Sequence, residues 1–158
     1  MSCRYKETKK GVGVLRLAGG SGWAGKPVVN TVVVDMRKTP NWRKIKVDRG
    51  MLASLRVKGS KKRTVVHFGS QAGTITKRTK SVIKFHPNSK GNKFIFENTT
   101  ASHGPFNHMQ RIEIQGFKAG DKIELRNIGK TYELSDLQKQ GGFYVVPGVH
   151  ELKLKVFT

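Results

Sequence analysis

From Ile112 to the last residue, apolar side chains return at every second position. Ile112 and Ile114, Ile123 and Leu125, Tyr132 and Leu134, Phe143 and Val145, then Leu152, Leu154 and Val156 keep this spacing. Glu113, Glu124, Glu133, Glu151, Lys153 and Lys155 stand between them. Strict alternation is the pattern of strands with one dry and one wet face. Asn127-Ile128-Gly129 suits a hairpin loop with Gly129 in the left-handed conformation, and Pro147-Gly148 places turn residues between two apolar runs. The stretch is therefore expected to form an antiparallel sheet unit, with no evident chemistry of its own.

Strand signals continue upstream. Residues 1–11 read as a basic arm, and Val12–Leu17 as a short strand. Val28–Met36 is strongly β-branched, which favours a strand, and its lack of alternation suggests burial on both faces. Lys44–Asp48 alternates like an edge strand with a cationic face, whereas Met51–Val57 allows either a helical turn or a strand. Thr64–Phe68, Thr74–Phe85 and Phe94–Phe96 are further strands, with a turn at Pro87–Asn92 and a loop at Asn98–Gln110. Ser135 and Gln138 match a capping box, with Gly141-Gly142 as the stop, so Asp136–Gln140 is expected as one helical turn. No convincing internal repeat is present.

The fold class expected is all-β: an antiparallel β-sandwich, jelly-roll or immunoglobulin-like, or a barrel, with a basic N-terminal arm and at most one short helix. Residues 1–26 form the basic, glycine-rich arm and loop. Residues 27–158 form the β-domain, divided into a strongly basic part (27–97) and a charge-balanced antiparallel sheet (98–158).

Charge supplies the strongest functional signal. The chain carries a formal net charge of +21. Residues 1–97 hold 23 Lys/Arg against four acids, a net +19, and residues 98–158 hold eight against six, a net +2. So lopsided a surface repels itself and calls for a polyanion, nucleic acid being the commonest, with an acidic protein surface or an anionic membrane behind it. No apolar run approaches the about 18 residues a bilayer span needs, and the N-terminus lacks the apolar block of a secretory signal. One cysteine excludes disulfide frameworks and Cys-based zinc sites.

Specific chemistry is poorly represented. Gly20-Ser21-Gly22-Trp23-Ala24-Gly25-Lys26 satisfies G-x-x-x-x-G-K, but Pro27 replaces the hydroxyl residue that would hold magnesium, and β-branched residues follow where a helix is required. The loop reads as a plain glycine loop. His67, His86, His103, His108 and His150 show no ligand spacing, so no metal or cofactor is expected. The acids lie along strand faces and no G-x-S-x-G elbow occurs, which gives no reason to expect an enzyme.

The candidate polyanion-binding residues are Lys9, Lys10, Arg37, Lys38, Trp42, Arg43, Lys44, Lys46, Lys61, Lys62, Arg63, Lys77, Arg78 and Lys80. Lys and Arg would neutralise phosphates, and Trp42, between Asn41 and Arg43, would stack on bases. Two functional classes follow. The first is a non-enzymatic structural component of a large assembly, a virus or phage virion (capsid or capsid-associated) protein, which would form homo-oligomers, contact other structural proteins and lie in the virion. The alternative is a free-standing, cytoplasmic OB-like nucleic-acid-binding protein, or a basic protein of ribosomal or chromatin type.

Overall fold

Alternation does produce strands, but most successive strands do not pair with each other. The computed structural model describes residues 2–9, 11–18, 30–38, 42–51, 53–72, 80–97, 110–126, 128–147 and 152–158. Its first strands are β1 (Ser2–Lys9), β2 (Val12–Ala18), β3 (Asn30–Asp35), β4 (Lys44–Met51) and β5 (Ala53–Lys58). Then come β6 (Val65–Ala72), β7 (Ser81–Lys84), β8 (Lys93–Phe96), β9 (Gln110–Gln115) and β10 (Lys122–Leu125). The last are β11 (Lys130–Tyr132), β12 (Gln138–Gln140), β13 (Phe143–Val145) and β14 (Leu152–Val156). They form two sheets, ordered β1-β2-β4-β6-β8-β10-β11 and β12-β13-β14-β9-β7-β5-β3.

The chain thus lays one strand on the first sheet, crosses, lays one on the second and returns. Neighbours from β2 to β10 in the first sheet run parallel, as do those from β3 through β9 to β14 in the second. Parallel neighbours require a crossover connection: from β2 to β10 the crossover is a single strand of the facing sheet, whereas β9 reaches β14 through β10, β11, β12 and β13. The result is a two-faced parallel β-solenoid in which each coil contacts only its neighbours. The antiparallel sandwich or barrel expected from the sequence is overturned. A strand in a hairpin and a strand in a coil alternate identically, so period-2 spacing does not separate them. Among the described residues, antiparallel pairing occurs at β1–β2, β10–β11, β12–β13 and β13–β14.

Gly129, at φ 66°, does turn the β10–β11 hairpin as its sequence context predicts. The supposed C-terminal sheet unit, however, is divided: β9 and β14 pair in the second sheet while β10 lies in the first. β4 is not an edge strand, since β2 and β6 flank it. Ser2–Lys9 is not a free arm but pairs with β2. The ambiguous Met51–Val57 stretch resolves into the end of β4 and most of β5. Val32 and Val34 are buried while Val33 is 58 % exposed, so β3 buries one face, not two. The expected helical turn is displaced into a 3-10 turn at Leu134–Asp136, where the Glu133 and Asp136 side chains cap each other's backbone.

Inward side chains stack in register from coil to coil. Across the first sheet, Ile45, Val66, Phe94 and Ile123 form one ladder and Val47, Phe68, Phe96 and Leu125 the next. Val57, Ile83, Ile114 and Val156 face them from the second sheet. All belong to one buried cluster that draws on both charge regimes of the chain. Each fully buried Val, Leu, Ile or Phe contributes about 1.5–3 kcal/mol of transfer free energy. Phe68 and Phe94 add an edge-to-face contact at 5.7 Å.

At the edge where the chain passes from the second sheet to the first, Thr64, Asn92 and Asp121 occupy equivalent places on consecutive coils, each fully buried. The Thr64 amide donates to Asn92 Oδ1 (2.8 Å), and the Asn92 amide to Asp121 Oδ1 (2.9 Å). Asn92 Nδ2 donates to Ser89 Oγ at 2.8 Å. Because buried amides without partners are costly, this polar ladder fixes how each coil stacks on the next.

Candidate polyanion-binding surfaces

The corner loops follow this ladder, and they carry many of the cations singled out in the sequence. Amides of Met36, Gly59 and Phe85 donate to the carbonyls of Lys58, Lys84 and Gln115, which tie each turn to the next coil. Arg37, Lys38, Arg43, Lys61, Lys62 and Arg63 therefore share one edge of the solenoid, all exposed. Two are engaged. Arg37 donates to both carboxylate oxygens of Asp35 (2.8 and 2.7 Å), and this pairing holds the Asp35 carboxyl far below its usual range. Arg63 Nε donates to the Gly91 carbonyl at 2.8 Å, spanning two coils.

The other candidates lie elsewhere. Lys44 and Lys46 are half-buried on the outward face of the first sheet. Trp42 packs against the core, its ring in front of Gly13. Lys80 is exposed on the outward side of the second sheet, 3.2 Å from Glu113. Lys9 ends β1, while Lys10, Lys77 and Arg78 lie outside the described residues.

On the outward face of the first sheet, charges surround Ile95 and His67, each only 3 % exposed. His67 Nε2 bonds Glu97 Oε2 at 2.7 Å, and Arg126 joins Glu97 (3.3 Å) to Glu124 (3.2 Å). Burial pushes the His67 pKa down, more strongly than Glu97 pulls it up. The ring is therefore neutral near pH 7, and Nε2–H donates to an ionised Glu97. Burial works against that ionisation, but the bonds from His67 and Arg126 outweigh it and hold the Glu97 pKa below its ordinary value. On this face Glu97 and Glu124 thus engage His67, Lys93 and Arg126.

The outward face of the second sheet differs. Sequence reasoning missed its cations: Arg56, Lys58, Lys84, Arg111, Lys153 and Lys155 are all exposed. Their signal was present in Leu55-Arg56-Val57-Lys58 and in Leu152-Lys153-Leu154-Lys155, where every apolar residue is followed by a cation. Register places Lys58 beside Lys84, and Arg111 beside Lys153, as directly opposed like charges. Lys80 precedes β7 by one residue and so extends the second row, next to Arg111. Between the two rows runs a third, through Arg56, Val82, Glu113 and Lys155. Glu113 is kept ionised: burial opposes this, but Gln115 and Lys80 bond to it and lower its pKa. At the end of the face, Lys155 Nζ sits 4.7 Å from the centre of the Phe143 ring, which packs on Phe157 at 6.1 Å.

No known protein family, curated protein or solved structure matches this chain. Among the described residues no helix is long and apolar enough to cross a membrane, and no three His, Cys, Asp or Glu side chains converge as metal ligands. What the arrangement offers is electrostatic. Neighbouring strands stand about 4.8 Å apart and alternate residues about 7 Å apart along a strand, so these cations form a regular lattice on a rigid support.

Proposed function

We propose that this chain is a non-enzymatic structural component of a large assembly, of the kind found in virus or phage particles, and that it holds a polyanion against the outward face of its second sheet. The pairing of Lys58 with Lys84 and of Arg111 with Lys153 carries this reading. Like charges directly opposed across strands destabilise a sheet, and a bound polyanion turns that penalty into attraction. The exposed edge bearing Lys38, Lys61 and Lys62 adds to the same field.

Two measurements test the proposal. In the first, a variant with Lys58, Lys84, Arg111 and Lys153 all changed to Gln is compared with the native chain on immobilised heparin and on duplex DNA. Weaker retention of the variant at every salt concentration is expected, and equal retention would overturn the role of this face. In the second, native mass is measured before and after nuclease treatment. Defined oligomers support an assembly component, whereas a monomer that binds polyanion tightly would favour a free-standing nucleic-acid-binding protein.

A further inference from the structure

We infer that the polyanion is a double-stranded nucleic acid, gripped by its two phosphate backbones and not read by sequence; this rests on the polyanion-binding reading above. The lattice has two outer cationic rows, one through Lys58 and Lys84, which begins at Asp35 with its carboxylate held by Arg37, and one through Lys80, Arg111 and Lys153. Lys80 and Lys84 lie on the same strand path four residues apart, which puts the rows about 13 Å from each other at about 3.3 Å per residue. The major groove of B-form DNA, about 12 Å wide, separates its bordering backbones by a similar span. One row would follow each backbone.

The middle row supports two tracks over one. Along β7 and β9 the outer rows hold Lys84, Lys80 and Arg111, whereas the middle row holds Val82 and Glu113 there and has its own cations, Arg56 and Lys155, at its two ends. A single strand following the middle row would meet Val82 and Glu113 between those ends; two backbones straddling it would not. Base stacking is poorly served as well. The aromatics described on this face are Phe143 and Phe157, which pack on each other, and the Lys155 ammonium covers the Phe143 ring. Proteins that bind single strands rely on open aromatic platforms, whereas contacts to phosphates alone position a duplex without specifying its sequence.

The test uses the full chain and fluorescence anisotropy with a short DNA duplex, one of its strands alone, and a heparin fragment of similar charge. The duplex is expected to bind at least about tenfold more tightly than the single strand, with little dependence on sequence. Each phosphate contact contributes about 0.9 to the slope of log affinity against log salt, so the slope falls when either row is removed, by Lys58→Gln with Lys84→Gln or by Lys80→Gln, Arg111→Gln and Lys153→Gln. Glu113→Gln, which removes no cation, is expected to tighten duplex binding. Circular dichroism confirms that each variant is folded. Equal or tighter binding of the single strand or heparin, or an unchanged slope in either row variant, overturns the duplex assignment while leaving polyanion binding intact. Absence of binding to all three ligands at low salt sinks the parent reading instead.

Discussion

The Trp42 indole fills the space in front of Gly13: a Cβ at Gly13 would stand 2.5 Å from the ring. Gly13 lies beside Ile45 in register, on the inward side of the first sheet, and Trp42 packs against the same core. The tryptophan that its basic neighbours mark as a base-stacking candidate thus has a packing role within its own chain.

Gly13→Ala forces the indole aside. Overpacking of this kind costs about 1–3 kcal/mol, read as a lower urea midpoint. Trp42→Leu makes room, so the double variant is expected to lose less than the two single losses combined. Additive losses would show that the two residues do not share this space.

Asn92→Ala removes the acceptor of the Thr64 amide and the donor to Ser89 Oγ. A buried donor left without a partner costs about 1–3 kcal/mol, and the Thr64 amide is enclosed in the corner. Thermal melting is expected to show a clear fall for Asn92→Ala and a smaller one for Asn92→Asp, which keeps the acceptor. A melt unchanged by Asn92→Ala would mean that the ladder does not hold the coils together.

His67 predicts a pH dependence. Its pKa is lowered chiefly by burial, with Lys44 and Arg126 adding to the effect and Glu97 opposing it. The unfolded chain therefore takes up this proton first. Stability from neutral His67 is complete above the ordinary value of about 6.5 and is lost as pH falls from there toward the folded pKa. Glu97 and Glu113, also lowered, lose their contributions only in a more acidic window, below about 4.3. The urea midpoint of the native chain is expected to drop between neutral pH and about pH 5.5, and that of His67→Gln to drop less. Identical profiles would remove His67 as the cause.

Lys84→Gln separates stability from binding. Relieving the repulsion from Lys58 is expected to raise the thermal midpoint at low ionic strength, with the gain fading as salt screens the pair. The same variant is expected to bind duplex DNA less well. A midpoint lowered at low salt would show that the opposed lysines do not repel in the folded chain.

Individual strands were legible because alternation is a local property. Val12–Leu17, Lys44–Asp48 and Phe94–Phe96 announce themselves through a few neighbouring residues. Pairing partners are not local. Lys44, Val65, Lys93 and Lys122 stand in register on successive strands, yet the chain between them varies in length from coil to coil, so no sequence repeat betrays the winding. The cationic clusters of the corner were visible as runs such as Lys61-Lys62-Arg63. The second-sheet face was not, because its cations lie on distant strands and are collected only by register. Arg56 and Lys153 sit in runs that mark a cationic strand face, but nothing local joins those two faces to each other or to Lys84 and Arg111 until the coils are stacked.

Parallel winding also means that this molecule can change length without changing its cross-section. Duplicating one coil would add a rung to every inward ladder and a step of about 4.8 Å to each row of cations, while the terminal hairpins stay as they are. A surface made this way behaves as a ruler, and the reach of its grip on a linear polyanion is counted in coils.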